Sequence, residues 1–216
     1  MLAFAAGSMN ATAAVAGERY VTHLSGNVTQ LGTELGNVGV LVGDVVLLIA
    51  SFIAGAITAA LCINARVLRR KRPFFALPLL VVVAITTAVA IIGGLDLAGD
   101  VPLLAALSFA AGLQNASVAT STGALVRTTH LTGPATDLGI HLVDAMFAHG
   151  KTRKYALDHA LLRGGKIVAF AAGAFAGAIL GVRIGYFALL SSAAITLVAT
   201  AISYLPYRQR MEALAG

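Results

Sequence analysis

Two short segments built around a histidine hold the residue types best suited to chemistry in this chain. They are Thr-His-Leu-Ser-Gly-Asn-Val-Thr-Gln-Leu-Gly at residues 22–32 and Thr-His-Leu-Thr-Gly-Pro-Ala-Thr-Asp-Leu-Gly at residues 129–139. Seven of the eleven positions are identical, where background composition gives about one. Both read as helix starts. Ser25 or Thr132 suits the N-cap, and Pro134 suits the first turn, where its missing N–H costs nothing. The helices that follow, over 26–37 and 133–149, are too polar to cross a bilayer alone and are expected to be short re-entrant or interfacial helices. A re-entrant start would turn free amide donors and a positive dipole end into the protein, which suits an anion or a carboxylate. A capped helix facing solvent explains the same residues without any ligand.

A second pair of polar residues accompanies the histidines. Asn10, in Gly7-Ser-Met-Asn-Ala11, matches Asn115, in Gly112-Leu-Gln-Asn-Ala116, and both lie in apolar runs. A buried amide needs hydrogen-bond partners. They come either from neighbouring helices, as packing glue of about 0.6 kcal/mol per contact, or from a solute. The candidate lining of a solute site is Asn10, His23, Ser25, Asn27, Asn115, His130 and Thr132. Asp44, between Gly43 and Val45 near the start of an apolar run, is a candidate proton carrier, with an interfacial carboxylate as the alternative. Asp137, His141 and Asp144 share one helix face. Their counterparts Gln30, Glu34 and Asn37 are also polar. With no Cys partner and no His-x-x-x-His pair, the amphipathic reading is preferred, and neither metal nor cofactor is expected. Asp158 and His159 sit in a basic stretch and read as surface or headgroup contacts. No hydrolase, zinc-protease, phosphate-loop or dinucleotide signature occurs, so an enzyme is not expected.

The elements that must position these residues are apolar. Hydrophobic residues make up 58% of the chain and charged ones 11%, with a mean hydropathy of +0.88. That is too little charge to cover a water-soluble globule, where about 25% is usual. Apolar runs at 2–17, 38–65, 74–94, 101–118, 164–182 and 185–205 give six expected spans. With three of the loops on one side, 13 of the 15 Lys and Arg residues fall there, leaving Arg19 and Arg183 opposite. That bias places both termini in the cytoplasm and argues against a nucleic-acid patch. Cys62 stands alone and forms no internal disulfide.

The repeated motifs divide one membrane domain, 1–216, into a first repeat of about 1–96, a second of about 97–206 and a cytoplasmic tail, 207–216. Each repeat reads as span, histidine motif, span, span. Three spans is an odd number, so the second copy enters the bilayer inverted. The expected fold is therefore an all-α integral membrane protein with six transmembrane helices in two inverted three-helix repeats, each with an extra short helix. Small-residue ridges at Gly55, Ala56, Ala59 and Ala60 and at Gly173, Gly177 and Gly181 are expected to pack on each other at the two-fold axis.

The paired motifs, with the Ala-Gly-Leu-Gln-Asn-Ala of residues 111–116, resemble those of the YoaK-like bacterial membrane proteins, known as domain of unknown function 1275. The resemblance spans nearly the whole chain. It implies a multi-pass protein of the inner (cytoplasmic) membrane with no established activity. Secondary transporters built from inverted repeats hold their substrate near the midplane at the repeat interface. The leading expectation is thus a transporter or facilitator of a small polar or anionic solute. The alternative is a non-transporting interaction or accessory protein whose paired motifs are structural. Lipid and the solute are the expected partners.

Overall fold

Each apolar run folds as a helix, because straight-chain and small side chains lose little freedom there and glycine, proline or charge marks the ends. The computed structural model describes residues 1–36, 42–68, 75–123 and 127–212. Among these there are eight α-helices and no strand. They are α1 (Leu2–Ala16), α2 (Leu24–Gly36), α3 (Val42–Leu68), α4 (Ala76–Gly94), α5 (Asp100–Ser121), α6 (Thr132–Phe147), α7 (Gly150–Ile184) and α8 (Leu189–Glu212). A 3-10 turn, Gly185–Ala188, joins the last two. The expected short helices are present as α2 and α6, each starting one or two residues early. Helix α7 is longer than its apolar run, since the basic stretch from residue 150 is already its first turns. Asn37, residues 69–72 of the basic cluster, and residues 213–216 lie outside the described residues.

Among the described residues four helical stretches are long and apolar enough to cross a membrane: 42–65, 76–94, 100–121 and the stretch 150–203 that runs through α7 and α8. Helix α1 is apolar but only 15 residues long, about 22 Å against a hydrocarbon core of about 30 Å. Beside a buried core that includes Leu104, Leu107 and Leu189, the outer faces are strongly apolar. On α7, Val168, Phe175 and Val182 are 68%, 71% and 76% exposed, while Gly173, Gly177 and Gly181 on the other face are buried. Buried positions elsewhere include Ser8, Asn10, Thr12, Ser108, Gln114 and Ser117. An apolar outer face, with a seam of glycine on the opposite face of the same helix, suits a hydrocarbon solvent.

The closest helix pairs are α1 with α7 and α3 with α5, and α4 lies against both α5 and α8. Glycine permits the first two. A Cβ added at Gly7 would stand 2.1 Å from the Phe170 carbonyl oxygen, and one at Gly173 would stand 2.0 Å from that of Phe4. The same reciprocal contact joins the other pair, Gly55 to the Phe109 oxygen and Gly112 to the Phe52 oxygen, each at 2.0 Å. Gly177 continues the first seam, meeting the Ser8 backbone, and Thr12 Oγ1 donates to the Gly177 carbonyl at 3.2 Å. The two small-residue ridges therefore do not pack on each other as expected. The ridge of α7 receives α1 and that of α3 receives α5, because the complementary glycines sit on α1 and α5.

Any side chain at Gly55 or Gly173 forces its helix pair apart. Gly173→Val and Gly55→Val should each lower the thermal midpoint of the detergent-purified protein by several degrees or abolish folding, since overpacking costs about 1–3 kcal/mol or more. Gly165→Ala, on the same helix with no atom near the added Cβ, should leave the midpoint equal or higher. Equal tolerance at all three positions would contradict the glycine seam.

Candidate binding site between the two histidine loops

Each histidine loop begins with a reversal after a helix. Glu18 follows α1 with φ 59°, and Gly123, at the matching position after α5, has φ 60°. The left-handed conformation turns the chain back on itself, at a cost of roughly 1 kcal/mol for the non-glycine residue. The returning strand of each loop is then pinned to the middle of the helix it left. Asn10 Oδ1 accepts the Thr22 N–H at 3.0 Å. Asn115 Oδ1 accepts the Thr129 N–H at 3.3 Å and the Thr128 hydroxyl at 3.4 Å. Both asparagines lie six residues before the end of their helix, so each loop doubles back by about 9 Å. Ser108 Oγ adds a bond to the Val21 carbonyl at 3.2 Å, and Lys166 Nζ donates to the His130 carbonyl. The amides thus join helix to loop rather than helix to helix.

The loops converge on one cavity of about 520 Å³. Six of the seven candidate residues line it: Asn10, His23, Ser25, Asn115, His130 and Thr132. Thr22, Thr129, Leu131 and Arg127 complete the loop side, and Phe52 of α3 and Phe170 of α7 form apolar walls. Asn27 does not line it. Its Nδ2 donates to the Tyr20 carbonyl at 3.2 Å, and the residue is buried as a latch within the first loop.

The helix starts differ from the expected caps. Ser25 and Thr132 fall inside the first turns of α2 and α6, and no side chain of the N-cap residue Leu131 serves α6. His130 takes that part. Its Nε2 accepts the Gly133 N–H at 3.3 Å, which leaves the ring proton on Nδ1. A Cβ on Gly133 would lie 2.8 Å from His130 Nε2, and one on Gly26 would lie 2.8 Å from His23 Cδ2, so glycine is what lets either ring fold over its helix start. With Gly133 occupied and Pro134 lacking an N–H, α6 does not offer the row of free amides expected of it. Positive charge near the second loop comes instead from side chains, namely Arg127, Arg163 and Lys166.

Asp44 lies outside the cavity, in the first turn of α3, with Oδ2 3.5 Å from Arg19 Nη2. That pair ties the loop after α1 to the first turn of α3. Asp137 and His141 also part company: Asp137 Oδ2 is 3.3 Å from Arg163 Nε, while His141 Nδ1 is 3.9 Å from Asp144. The His141 ring meets His159 of α7, with centroids 5.2 Å apart. Among the described residues no three His, Cys, Asp or Glu side chains gather as a metal site would require. Sequence reasoning missed Phe52 and Phe170. The signal was present, because Phe-x-x-Gly occurs at 4–7, 52–55, 109–112 and 170–173, one copy on each seam helix.

These features define an all-helical protein with stretches of membrane-crossing length and a cavity bordered by two matched loops. The family model described as protein of unknown function (DUF1275) matches residues 1–202, and the chain belongs to that family. No curated protein and no solved structure matches the chain.

Replacing Asn10 by Ala leaves a buried loop amide without its acceptor. Asn10→Ala should lower unfolding stability by about 1–3 kcal/mol, read as a lower thermal midpoint. Thr29→Ala, whose exposed hydroxyl bonds only its own helix, should change it by less than about 0.5 kcal/mol. An unchanged midpoint in Asn10→Ala would remove the asparagine latch from the account.

Proposed function

We propose that the chain is a membrane transporter or facilitator of a small polar solute, with its site at the interface of two inverted three-helix repeats. The observation that carries this reading is the cavity itself. Its lining comes in matched pairs from the two halves: Asn10 with Asn115, Thr22 with Thr129, His23 with His130, Ser25 with Thr132, and Phe52 with Phe170. A site built at a repeat interface from the ends of interrupted helices is the recurrent design of secondary transporters.

Three further observations support the topology. Helix contacts interchange when α1–α4 are swapped for α5–α8: α1 on α7 matches α5 on α3, α2 on α3 matches α6 on α7, and α1 on α8 matches α5 on α4. The loops return to mid-helix depth, where irregular backbone is tolerated only if it is buried in protein or lines a cavity. The clustering of 13 of the 15 basic residues on one side favours six spans with both termini cytoplasmic. The family resemblance favours the inner membrane.

One observation favours the alternative, a non-transporting accessory protein with structural motifs. Both asparagine carbonyls are already engaged by loop backbone. Thermal unfolding against a panel of amino acids, organic acids, sugars and small anions separates the two. A bound solute at 100 times its dissociation constant should stabilise the protein by about 2.7 kcal/mol. That gain should be lost in His23→Ala and His130→Ala, along with flux into proteoliposomes, while both variants stay folded. No stabilisation by any compound, with both variants merely less stable, would replace the transport reading by the accessory one.

A further inference from the structure

A buried cation needs a counter-charge, because its desolvation is not repaid by a neutral surrounding. Lys166 of α7 is only 8% exposed. Its Nζ bonds the His130 carbonyl, and among the described residues no carboxylate lies within ion-pair distance of it. Arg127, an exposed residue that lines the main cavity, likewise has no carboxylate within ion-pair distance among the described residues. Both border a second pocket of about 200 Å³ shared with His130, Arg163 and Asp137. Asp137 is the one carboxylate there among the described residues, and it is bonded to Arg163. The pocket therefore holds an excess of two positive charges beside His130.

This charge is one-sided. In the repeat alignment Arg127 corresponds to Tyr20, and Lys166 and Arg163 correspond to Leu48 and Val45. The matched residues shape the cavity, and the unmatched ones give it a sign. Helix α6 cannot supply that sign from its backbone, since Gly133 N–H is engaged by His130. A structural lysine would gain from a carboxylate partner, and among the described residues Lys166 has none within ion-pair distance.

We propose that the solute is an anion, with Arg127 and Lys166 supplying its counter-charge in a subsite beside His130. The proposal rests on the transport reading and names its substrate class. Arginine and lysine side chains that meet at one pocket are the charged donors that an anion's oxygens take.

The test measures thermal midpoints of the full chain in detergent at matched ionic strength, titrating phosphate, sulfate and acetate, with acetamide as the neutral counterpart of acetate. At least one anion should raise the midpoint saturably while acetamide does not. Arg127→Gln and Lys166→Gln should each weaken its apparent affinity by about tenfold or more, the usual worth of a hydrogen bond to a charged group. Lys166→Arg should retain binding, and Lys151→Gln, exposed at the start of α7, should not change it. Should Lys166→Gln fail to fold, the exposed Arg127 still decides the matter.

Anion binding that ignores Arg127→Gln overturns the proposal. So does stabilisation by anionic phospholipid but by no free anion, which would make these cations headgroup contacts. A neutral solute whose binding needs His23 and His130, with no anion effect, would defeat this proposal and leave the transport reading standing. Absence of binding by anions and by the whole solute panel defeats both.

Discussion

The two helix pairs that hold the cavity rest on four places where one helix backbone lies directly on another. Gly7, Gly55, Gly112 and Gly173 each lie against a phenylalanine carbonyl of the facing helix. Where the surrounding solvent is apolar, burying large side chains gains little, and close backbone contact with its dispersion and Cα–H···O terms becomes the main source of helix adhesion. These contacts fix the registers of α1 on α7 and α3 on α5. Those registers set Phe52 and Phe170, whose carbonyls receive glycine, as walls of the cavity. They also leave the middle of α1 and of α5 facing inward, which is why an asparagine there meets a loop.

The loops add a second constraint. Irregular backbone inside a helical bundle carries N–H and C=O groups that must find partners away from water. Here the partners are side chains: Asn10 and Asn115 for the amides, and Asn27, Ser108 and Lys166 for the carbonyls of Tyr20, Val21 and His130. His130 takes up Gly133 N–H in the same way. Most of the motif is thus needed to hold the loop in place. What is left over to line the cavity is one set of faces: the asparagines, the histidine rings and the first-turn hydroxyls.

Much of this was legible in the chain. Matched Asn and His residues 105 and 107 positions apart pointed to a shared site, and six of the seven candidates do border one cavity. Asn27 lies off that cavity, and spacing alone did not tell this, because an amide one turn from a histidine has the same spacing whether it faces a cavity or latches a loop. Ser25 and Thr132 were misassigned as caps, since preference tables rank Ser and Thr above His and the ring's reach over Gly26 or Gly133 is a tertiary choice. The glycine ridges were found, but their partners were not. Composition marks a face as smooth without naming the helix that lies on it, although the fourfold Phe-x-x-Gly would have narrowed the choice. Arg127 and Lys166 read as ordinary loop and flank charges because the burial of Lys166 and the meeting of the two at one pocket arise only once α7 lies beside the second loop.

The pairing of α1 with α7 and of α5 with α3 has a consequence for how the chain is made. Neither half contains the partner of its own first helix, so α1 waits for a segment more than 150 residues downstream before its glycine is covered. During synthesis the first four helices leave the ribosome with a bare seam on α1 and another on α3, and α5 closes only the second. Contacts of such long sequence separation are slow to form and leave sticky intermediates exposed. The two halves are interlocked like clasped hands, and assembly of either is complete only when the other arrives.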